Sequence, residues 1–309
     1  MTENVQFVSA HGASRAWLES LRLRTLPLAC ASVITGSALA WWQGHFDPAI
    51  AGLALLTTAL LQILSNLAND YGDAVKGSDT PDRIGPLRGM QKGLIGERQM
   101  RRALILTVLL TIGAGVTLVA TSCQSLHDIL GFIALGALAI VAAIAYTVGK
   151  KPYGYLGLGD LSVLIFFGWL GVLGSYYLQV HNVDGVLFLP ATACGLLAVA
   201  VLNVNNMRDI DSDRNQGKFT LAVRLGPVNA RRYHALLLAG SLLCFILFTL
   251  LTTQAGAGWL YLIAAPLLFR QARFVMQQRT ALAMRPMLEK TVKTALLVNV
   301  LFSFGLLLN

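Results

Sequence analysis

Residues 66–83 read NLANDYGDAVKGSDTPDR and continue directly from a long apolar segment that begins near residue 49. A second run, NVNNMRDIDSDRNQGK at 203–218, follows another apolar segment in the same way. Charged side chains within membrane segments are rare, because each costs about 2.5–3.5 kcal/mol at a helix centre on insertion scales. Two acidic clusters of this kind indicate a functional site at the ends of two membrane helices.

The composition is that of an integral membrane protein. Of the 309 residues, 55% are hydrophobic and 13% are charged, which is about half the charged fraction of soluble domains. Nine apolar segments approach the roughly 20 residues needed to cross a bilayer: 26–43, 49–69, 102–121, 128–147, 160–179, 185–206, 232–252, 257–271 and 290–308. The predicted fold class is all-α, a polytopic membrane helical bundle of nine transmembrane helices in a single domain, 1–309.

The basic residues predict the orientation of the bundle. All 24 Lys and Arg residues lie in five connections or at the helix ends that border them: the N-terminus, 70–102, 148–159, 207–232 and 270–293. The alternate connections contain none: 44–48, 122–127, 180–184 and 253–256. By the positive-inside rule the N-terminus and both acidic clusters face the cytoplasm, and the C-terminus lies outside. The net charge of +9 is explained by this topology and does not indicate nucleic-acid binding.

The acidic clusters have helical spacing. Two sets follow it: Asn66, Asp70 and Asp73, and Asn205, Asp209 and Asp213. Residues three or four positions apart share one face of a helix. The negative end of the helix dipole attracts cations there, and oxygen ligands suit Mg²⁺ or Ca²⁺. The pattern predicts two carboxylate stripes that face each other across a metal-bridged phosphate.

The two clusters also suggest an internal repeat. Asp70 and Asp209 are separated by 139 positions, as are Asn66 and Asn205. Because the host helices are the second and the sixth, they have the same orientation. This indicates two weak parallel halves, about 22–150 and 160–300.

Basic side chains flank both clusters and could stabilise charge on a departing phosphate. The positive-inside topology explains most of them, so we expect about four of the twelve flanking Lys and Arg residues in the site. The loop GKKPYGYLGLGD, 149–160, lacks a Walker pattern and is a candidate for lining the site.

These motifs resemble those of the UbiA superfamily of intramembrane aromatic prenyltransferases, and the resemblance covers essentially the whole chain. The family pattern N-D-x-x-D-x-x-x-D is matched by Asn69, Asp70 and Asp73. Its third aspartate would fall at Gly77, so the nearest candidate is Asp79. The second pattern, D-x-x-x-D, is matched at 209–213 and is followed by GKFTLAVRLG.

The resemblance implies the following site, in which Mg²⁺ is the cofactor. The expected metal ligands and catalytic aspartates are Asp70, Asp73, Asp209 and Asp213, with Lys218 as a further catalytic residue. The expected substrate-binding residues are Asn66, Asn69, Asn205, Arg22, Lys151, Tyr146 and Tyr153. Interfacial anchoring explains the two tyrosines equally well.

The resemblance also implies a reaction. The stretches 21–40, 66–89, 153–160, 166–177 and 203–226 most resemble the branch that serves bacterial menaquinone synthesis. A polyprenyl diphosphate would then donate its prenyl group to 1,4-dihydroxy-2-naphthoate in the cytoplasmic membrane. CO₂ and diphosphate would leave, giving demethylmenaquinol.

Three alternatives stay open on the residues alone. One is a relative with another aromatic acceptor, such as 4-hydroxybenzoate. Another is a cation-coupled transporter, which predicts acids near the bilayer midplane on broken helices. The third is a CDP-alcohol phosphotransferase, whose D-x-x-D-G-x-x-A-R pattern is missing because Ala74 follows Asp73.

Overall fold

The computed structural model describes residues 10–77, 88–252 and 256–309, whose regular structure is helical and contains no strand. The α-helices in these ranges are α1 (Ala10–Leu21), α2 (Leu26–Trp42), α3 (Pro48–Lys76), α4 (Glu97–Ser122), α5 (Leu126–Ala145), α6 (Gly159–Val163), α7 (Ser175–Val180), α8 (Phe188–Arg208), α9 (Ile210–Asn215), α10 (Leu221–Leu251), α11 (Ala265–Gln277) and α12 (Arg285–Leu307). A π-helix at Leu164–Gly174 joins α6 to α7. Shorter 3₁₀ segments lie at Leu23–Thr25, Tyr153–Leu156, Gly185–Leu187, Gly256–Ala264 and Leu282–Met284.

The all-α membrane fold is confirmed. In the described ranges, seven helical segments are long and apolar enough to cross a membrane, and the bent pair of α1 and α2 could make an eighth. The predicted eighth segment, 257–271, instead consists of a 3₁₀ segment followed by the 13-residue helix α11. The count of nine, the side on which each terminus lies and the single-domain organisation remain predictions.

Helix α3 carries the whole of the first acidic stripe because its ends are well defined. Asp47 caps its N-terminus, where the carboxylate accepts hydrogen bonds from the backbone N–H groups of Ala49 and Ile50. Gly77 ends the helix in the left-handed conformation, at φ 67°. The helix therefore runs seven residues beyond the predicted apolar segment, and those residues include Asp70 and Asp73.

The main core lies between α2, the π-helix, α8, α10 and α12. Its centre is aromatic, with the rings of Phe245 and Phe302 4.4 Å apart. Gly168 and Gly195 let the π-helix and α8 approach closely, since a Cβ on Gly168 would come within 2.9 Å of the Gly195 Cα. By contrast, α5 has one buried residue, Ala139. A cavity occupies the space between the tight core and this loosely packed helix.

Candidate functional site

The first acidic stripe is buried at the C-terminal end of α3. The exposed fraction of Asp70 is 1%. Its Oδ1 accepts a hydrogen bond from Arg22 Nη2 at 2.6 Å and lies 3.3 Å from Arg88 Nη1. Its Oδ2 is also buried, and it has no hydrogen-bond partner in the described ranges. Two guanidinium groups therefore offset the cost of burying one carboxylate, and one carboxylate oxygen is left over.

Asp73 lies one turn further along the same buried face. Arg88 Nη1 donates to its Oδ2 at 2.6 Å, and the Tyr155 hydroxyl donates to its Oδ1 at 2.8 Å. Arg88 also donates to the backbone oxygen of Asn69 at 3.2 Å. Arg88 thus bridges both carboxylates of the stripe and ties its own loop to α3.

Gly72 sets the distance between α3 and the end of α5. A Cβ at this position would lie 2.7 Å from the backbone oxygen of Thr147. The Thr147 hydroxyl donates to α3 at the Asn69 side-chain oxygen, 2.9 Å, and the Ala68 backbone oxygen, 3.1 Å. The close approach places the loop after α5 directly beside the acidic turn.

We expect Gly72→Ala to lower both stability and activity, because α3 must move away from Thr147 to admit the methyl group. Overpacking of this kind costs about 1–3 kcal/mol, and a shift near 1 Å can reduce a rate by about a hundredfold. Thermal unfolding and prenyl transfer would be measured together. Gly52→Ala is the matched control on the same helix, since a Cβ there meets nothing within 4 Å. Equal behaviour of the two variants would contradict this role for Gly72.

The second acidic cluster differs from the predicted continuous stripe. Helix α8 ends at Arg208, and Asp209 is a non-helical junction before α9. Backbone hydrogen bonds still link Asp209 N to Asn205 O at 3.2 Å and Asp213 N to Asp209 O at 2.8 Å. The spacing of the cluster is therefore preserved across a break in the helix.

Asp209 and Asp213 of this cluster each have a basic partner. Arg208 forms a bidentate ion pair with Asp209, in which Nε donates to Oδ1 at 2.8 Å and Nη2 donates to Oδ2 at 2.6 Å. Both side chains are buried. Asp213 lies 3.4 Å from Lys218 Nζ. Arg208 Nη2 also donates to the Asn205 side-chain oxygen at 2.9 Å. Charges of both signs are thus held in place before any ligand is present.

Tyr155 connects the two clusters. Its hydroxyl donates to Asp73 of the first cluster, while Lys218 of the second lies 5.5 Å from its ring centroid. Its backbone oxygen accepts a hydrogen bond from Phe219 N at 3.0 Å. Lys76 lies over the same ring at 4.5 Å. The 3₁₀ segment at 153–156 therefore spans the gap between the two acidic helix ends.

A single cavity of about 1280 Å³ is lined by residues of both clusters. Its polar end includes Asn66, Asn69, Asp70, Asp73, Arg88, Asn205, Arg208 and Lys218. The remainder of the wall is largely apolar and includes Phe132, Phe166, Phe167 and Leu178. A cavity with a charged end and an apolar body fits an amphipathic ligand that has a polyanionic head.

The other residues predicted for the site have different positions. Arg22, Tyr146 and Tyr153 line the cavity. Burial raises the pKa of the Tyr153 phenol, and its hydroxyl donates to the Ala142 backbone oxygen at 2.8 Å. Lys151 is exposed and lies outside the described lining.

Two further predicted residues, Asp209 and Asp213, do not line the cavity in the described part of the chain. Each contacts a residue that does line it: Asp209 pairs with Arg208, and Asp213 Oδ1 lies 3.4 Å from Lys218 Nζ. Asp79 falls outside the described residues. The roles of all three remain predictions.

Sequence reasoning did not single out three residues of this site. Arg88 and Arg208 are among the basic residues that the sequence predicts to flank the clusters, without individual roles, and Tyr155 is not among the predicted residues. The signal for Tyr155 is its place in YGYLGLGD, two residues after the predicted Tyr153. Only the folded loop shows which of its tyrosine hydroxyl groups reaches a carboxylate.

The site offers few side chains that could bind a metal ion. No group of three Asp, Glu, His or Cys side chains in the described ranges is close enough to hold one. Mg²⁺, however, commonly takes one or two carboxylates and completes its shell with water and phosphate. The buried Oδ2 of Asp70, which no described residue contacts by a hydrogen bond, and the adjacent Asp73 fit that mode of binding.

Comparisons with known proteins agree with this architecture. The model of a family described as the UbiA prenyltransferase family matches residues 29–297. The chain is 66% identical over 296 residues to 1,4-dihydroxy-2-naphthoate octaprenyltransferase of Escherichia coli, covering 96% of each chain. It is 52% identical to the protein of the same name from Haemophilus influenzae, covering 95% of this chain and 96% of that one.

A solved structure shares the fold. It is a UbiA homolog from Archaeoglobus fulgidus bound to GPP and Mg²⁺, and it superposes with a TM-score of 0.63 at 15% identity. The match covers 95% of this chain and 100% of the other. At this identity the likeness establishes the fold alone.

Proposed function

The chain belongs to the UbiA prenyltransferase family, and from this we propose that it transfers a polyprenyl group from a polyprenyl diphosphate to 1,4-dihydroxy-2-naphthoate. The main observation behind the proposal is the cavity, whose charged end is lined by residues from both clusters, Asp70 and Asp73 of the first and Asn205 and Lys218 of the second, and whose body is apolar. The names of the relatives at 66% and 52% identity support the naphthoate acceptor over 4-hydroxybenzoate. A cation-coupled transporter is not favoured, since the acids lie at helix ends.

The charged end of the cavity suits the diphosphate. Arg22, Arg88 and Lys218 supply cationic groups that would bind its oxygens. Asp70 and Asp73 would hold Mg²⁺, which supplies Lewis-acid stabilisation of the diphosphate when bound. As the ligand enters, the two arginines exchange part of their contact with the carboxylates for contact with phosphate. The ion pairs of the free protein thus preorganise the cationic side chains for binding a polyanion.

The bond changes balance without a further reactant. The allylic C–O bond breaks, and its electron pair leaves with the diphosphate. A C–C bond forms between the allylic carbon and the ring carbon that bears the carboxylate. That carboxylate leaves as CO₂, and demethylmenaquinol remains. The apolar wall, which includes Phe166 and Phe167, would exclude water from the reacting carbon.

The site would face the cytoplasm of a bacterial inner membrane. Its basic residues, Arg88 and Lys218 among them, belong to the Lys- and Arg-rich connections, which the positive-inside rule assigns to the cytoplasmic side. An apolar cavity within the bilayer would let a long polyprenyl tail reach the charged end without leaving the membrane.

We expect purified protein in lipid nanodiscs to form product from 1,4-dihydroxy-2-naphthoate, Mg²⁺ and a polyprenyl diphosphate. Because the prenyl group replaces the carboxyl group, the mass of the product should show gain of the prenyl group and loss of CO₂. EDTA should abolish the reaction. A panel containing 4-hydroxybenzoate tests the acceptor.

Two results would contradict the proposal. One is preferential use of 4-hydroxybenzoate, whose product would retain the carboxyl group. The other is the absence of prenyl transfer together with a cation flux into proteoliposomes that needs no prenyl diphosphate.

A further inference from the structure

Three polar side chains of α3 line the cavity without an evident structural role. Thr58, Gln62 and Ser65 follow helical spacing, so they share one face of the helix. The hydroxyl groups of Thr58 and Ser65 have no hydrogen-bond partner within the described ranges. Gln62 donates to the Asn66 side-chain oxygen at 3.1 Å, and its own carbonyl oxygen has no partner there.

Neighbouring hydroxyl groups behave differently. Thr57 donates to the Leu53 backbone oxygen at 2.8 Å, and Thr111 donates to that of Thr107 at 2.7 Å. Both of these residues also line the cavity. Bonding to the preceding turn is the usual way in which a membrane helix satisfies Ser and Thr. The uncommitted groups of Thr58 and Ser65 are therefore distinct from the cavity's other threonines.

The position of these groups relates them to the reacting end. With a rise of 1.5 Å per residue, Ser65 lies about 7.5 Å along the helix from Asp70. Thr58 lies about 10.5 Å further towards the apolar body. The set thus begins roughly one and a half turns from the carboxylate that we assign to the diphosphate end. Its length is comparable to that of a substituted two-ring aromatic molecule.

The chemistry of the two substrates indicates which of them the polar side chains of α3 bind. A polyprenyl tail has no hydrogen-bonding group, and an unpaired polar group facing it inside a membrane is unfavourable. The diphosphate has charged partners at the other end. A dihydroxylated aromatic acid instead brings hydroxyl groups into an apolar cavity, where each needs a partner. Neutral donors and acceptors suit such hydroxyl groups better than charged residues do.

We propose that Thr58, Gln62 and Ser65 form the surface that recognises the hydroxyl groups of the aromatic acceptor. This inference rests on the proposed function, whose acceptor it places along α3. The carbonyl oxygen of Gln62 accepts a hydrogen bond from an acceptor hydroxyl, and the hydroxyl groups of Thr58 and Ser65 donate or accept on either side of it. The face orients the ring so that one edge points towards the diphosphate end.

The test compares Thr58→Val, Gln62→Leu and Ser65→Ala with the control Thr57→Val. Each substitution removes hydrogen-bonding atoms with little change in the size of the side chain. The hydroxyl that the control removes already donates to the Leu53 backbone oxygen of its own helix. A neutral hydrogen bond accounts for about a fivefold to tenfold change in affinity. We expect Gln62→Leu and Ser65→Ala each to raise the acceptor KM and Kd by about that factor, while the KM for the polyprenyl diphosphate stays unchanged.

An acceptor analogue supplies a second measurement. The compound 1-hydroxy-2-naphthoate lacks one hydroxyl, so wild-type protein should bind it more weakly than 1,4-dihydroxy-2-naphthoate. In the variant that has lost the matching partner, this difference should disappear. The single-hydroxyl variants Thr58→Val and Ser65→Ala keep the test usable if Gln62→Leu does not fold.

The failure of this inference differs from failure of the proposed function. Wild-type protein that neither binds nor converts 1,4-dihydroxy-2-naphthoate contradicts the proposed function. Wild-type protein that converts it, together with three variants whose acceptor KM and Kd match those of Thr57→Val, overturns the inference alone. A change confined to the KM of the polyprenyl diphosphate would overturn it as well, since the face would then contact the donor.

Discussion

Asp70→Asn is expected to reduce prenyl transfer by about a thousandfold, the order of magnitude seen when a preorganised electrostatic contact is removed from an active site. The variant keeps the size of the side chain and removes its charge. In the free protein Asp70 offsets Arg22 and Arg88, and its second oxygen is buried and has no partner among the described residues. An amide in this place is a far weaker ligand for Mg²⁺. The rate at saturating Mg²⁺ and both substrates is the measurement.

Asp47→Asn is the matched control for this variant. Asp47 belongs to the same helix but caps its opposite end, and asparagine caps a helix about as well as aspartate does. We expect this control to keep its activity within about twofold, since the cap contributes little more than about 1 kcal/mol even when it is lost. Turnover by Asp70→Asn at a third or more of the wild-type rate would contradict the assignment of Asp70 as a Mg²⁺ ligand. A folded variant with an undiminished Mg²⁺ response would do the same.

Much of this site follows from spacing on one helix. Asn66, Asp70 and Asp73 were predicted to share a face, and they do, because α3 runs without interruption to Gly77. Helical periodicity is a local property, so the sequence contains it in full. The same reasoning failed to foresee the break at Asp209, where the side chain pairs with Arg208 and the chain turns into α9.

Contacts between distant segments could not be read from the sequence. Tyr155 and Asp73 are 82 positions apart, and nothing local to either one selects the other. The same holds for Arg22 and Asp70, 48 positions apart, although Arg22 is among the predicted substrate-binding residues. Basic residues abound in these loops for reasons of topology, so charge alone cannot tell which of them bind a carboxylate.

Hydropathy predicts nine spans, whereas seven or eight helical segments in the described ranges are long and apolar enough to cross a membrane. The predicted segment 257–271 is apolar for part of its length, but Arg270 and Arg273 follow within α11. A hydropathy average over this region combines an apolar stretch with the charged end of α11. The π-helix at Leu164–Gly174 could not be predicted from hydropathy either, because hydropathy does not distinguish π-helical from α-helical hydrogen bonding.

Arg208→Met is expected to destabilise the protein by about 3–5 kcal/mol, as is typical when one partner of a buried ion pair is removed. The exposed fractions of the Arg208 and Asp209 side chains are 5% and 4%. Methionine fills much of the same volume but leaves the Asp209 carboxylate buried without its bidentate partner. Thermal unfolding in detergent, with and without polyprenyl diphosphate, is the measurement. Arg232→Met, an exposed position on α10, is the control and should change stability by less than about 0.5 kcal/mol.

The double variant Arg208→Met/Asp209→Asn separates stability from function. Removing both charges also removes the buried carboxylate that has lost its arginine partner, so most of the lost stability should return. Prenyl transfer should remain impaired, because the cavity loses the cationic side chain that lines it and the carboxylate paired with that side chain. If the single variant unfolds at the wild-type temperature, water or another cation must already solvate Asp209. If instead the double variant regains full activity, the pair serves the fold, and the second cluster takes no part in binding the diphosphate through these two residues.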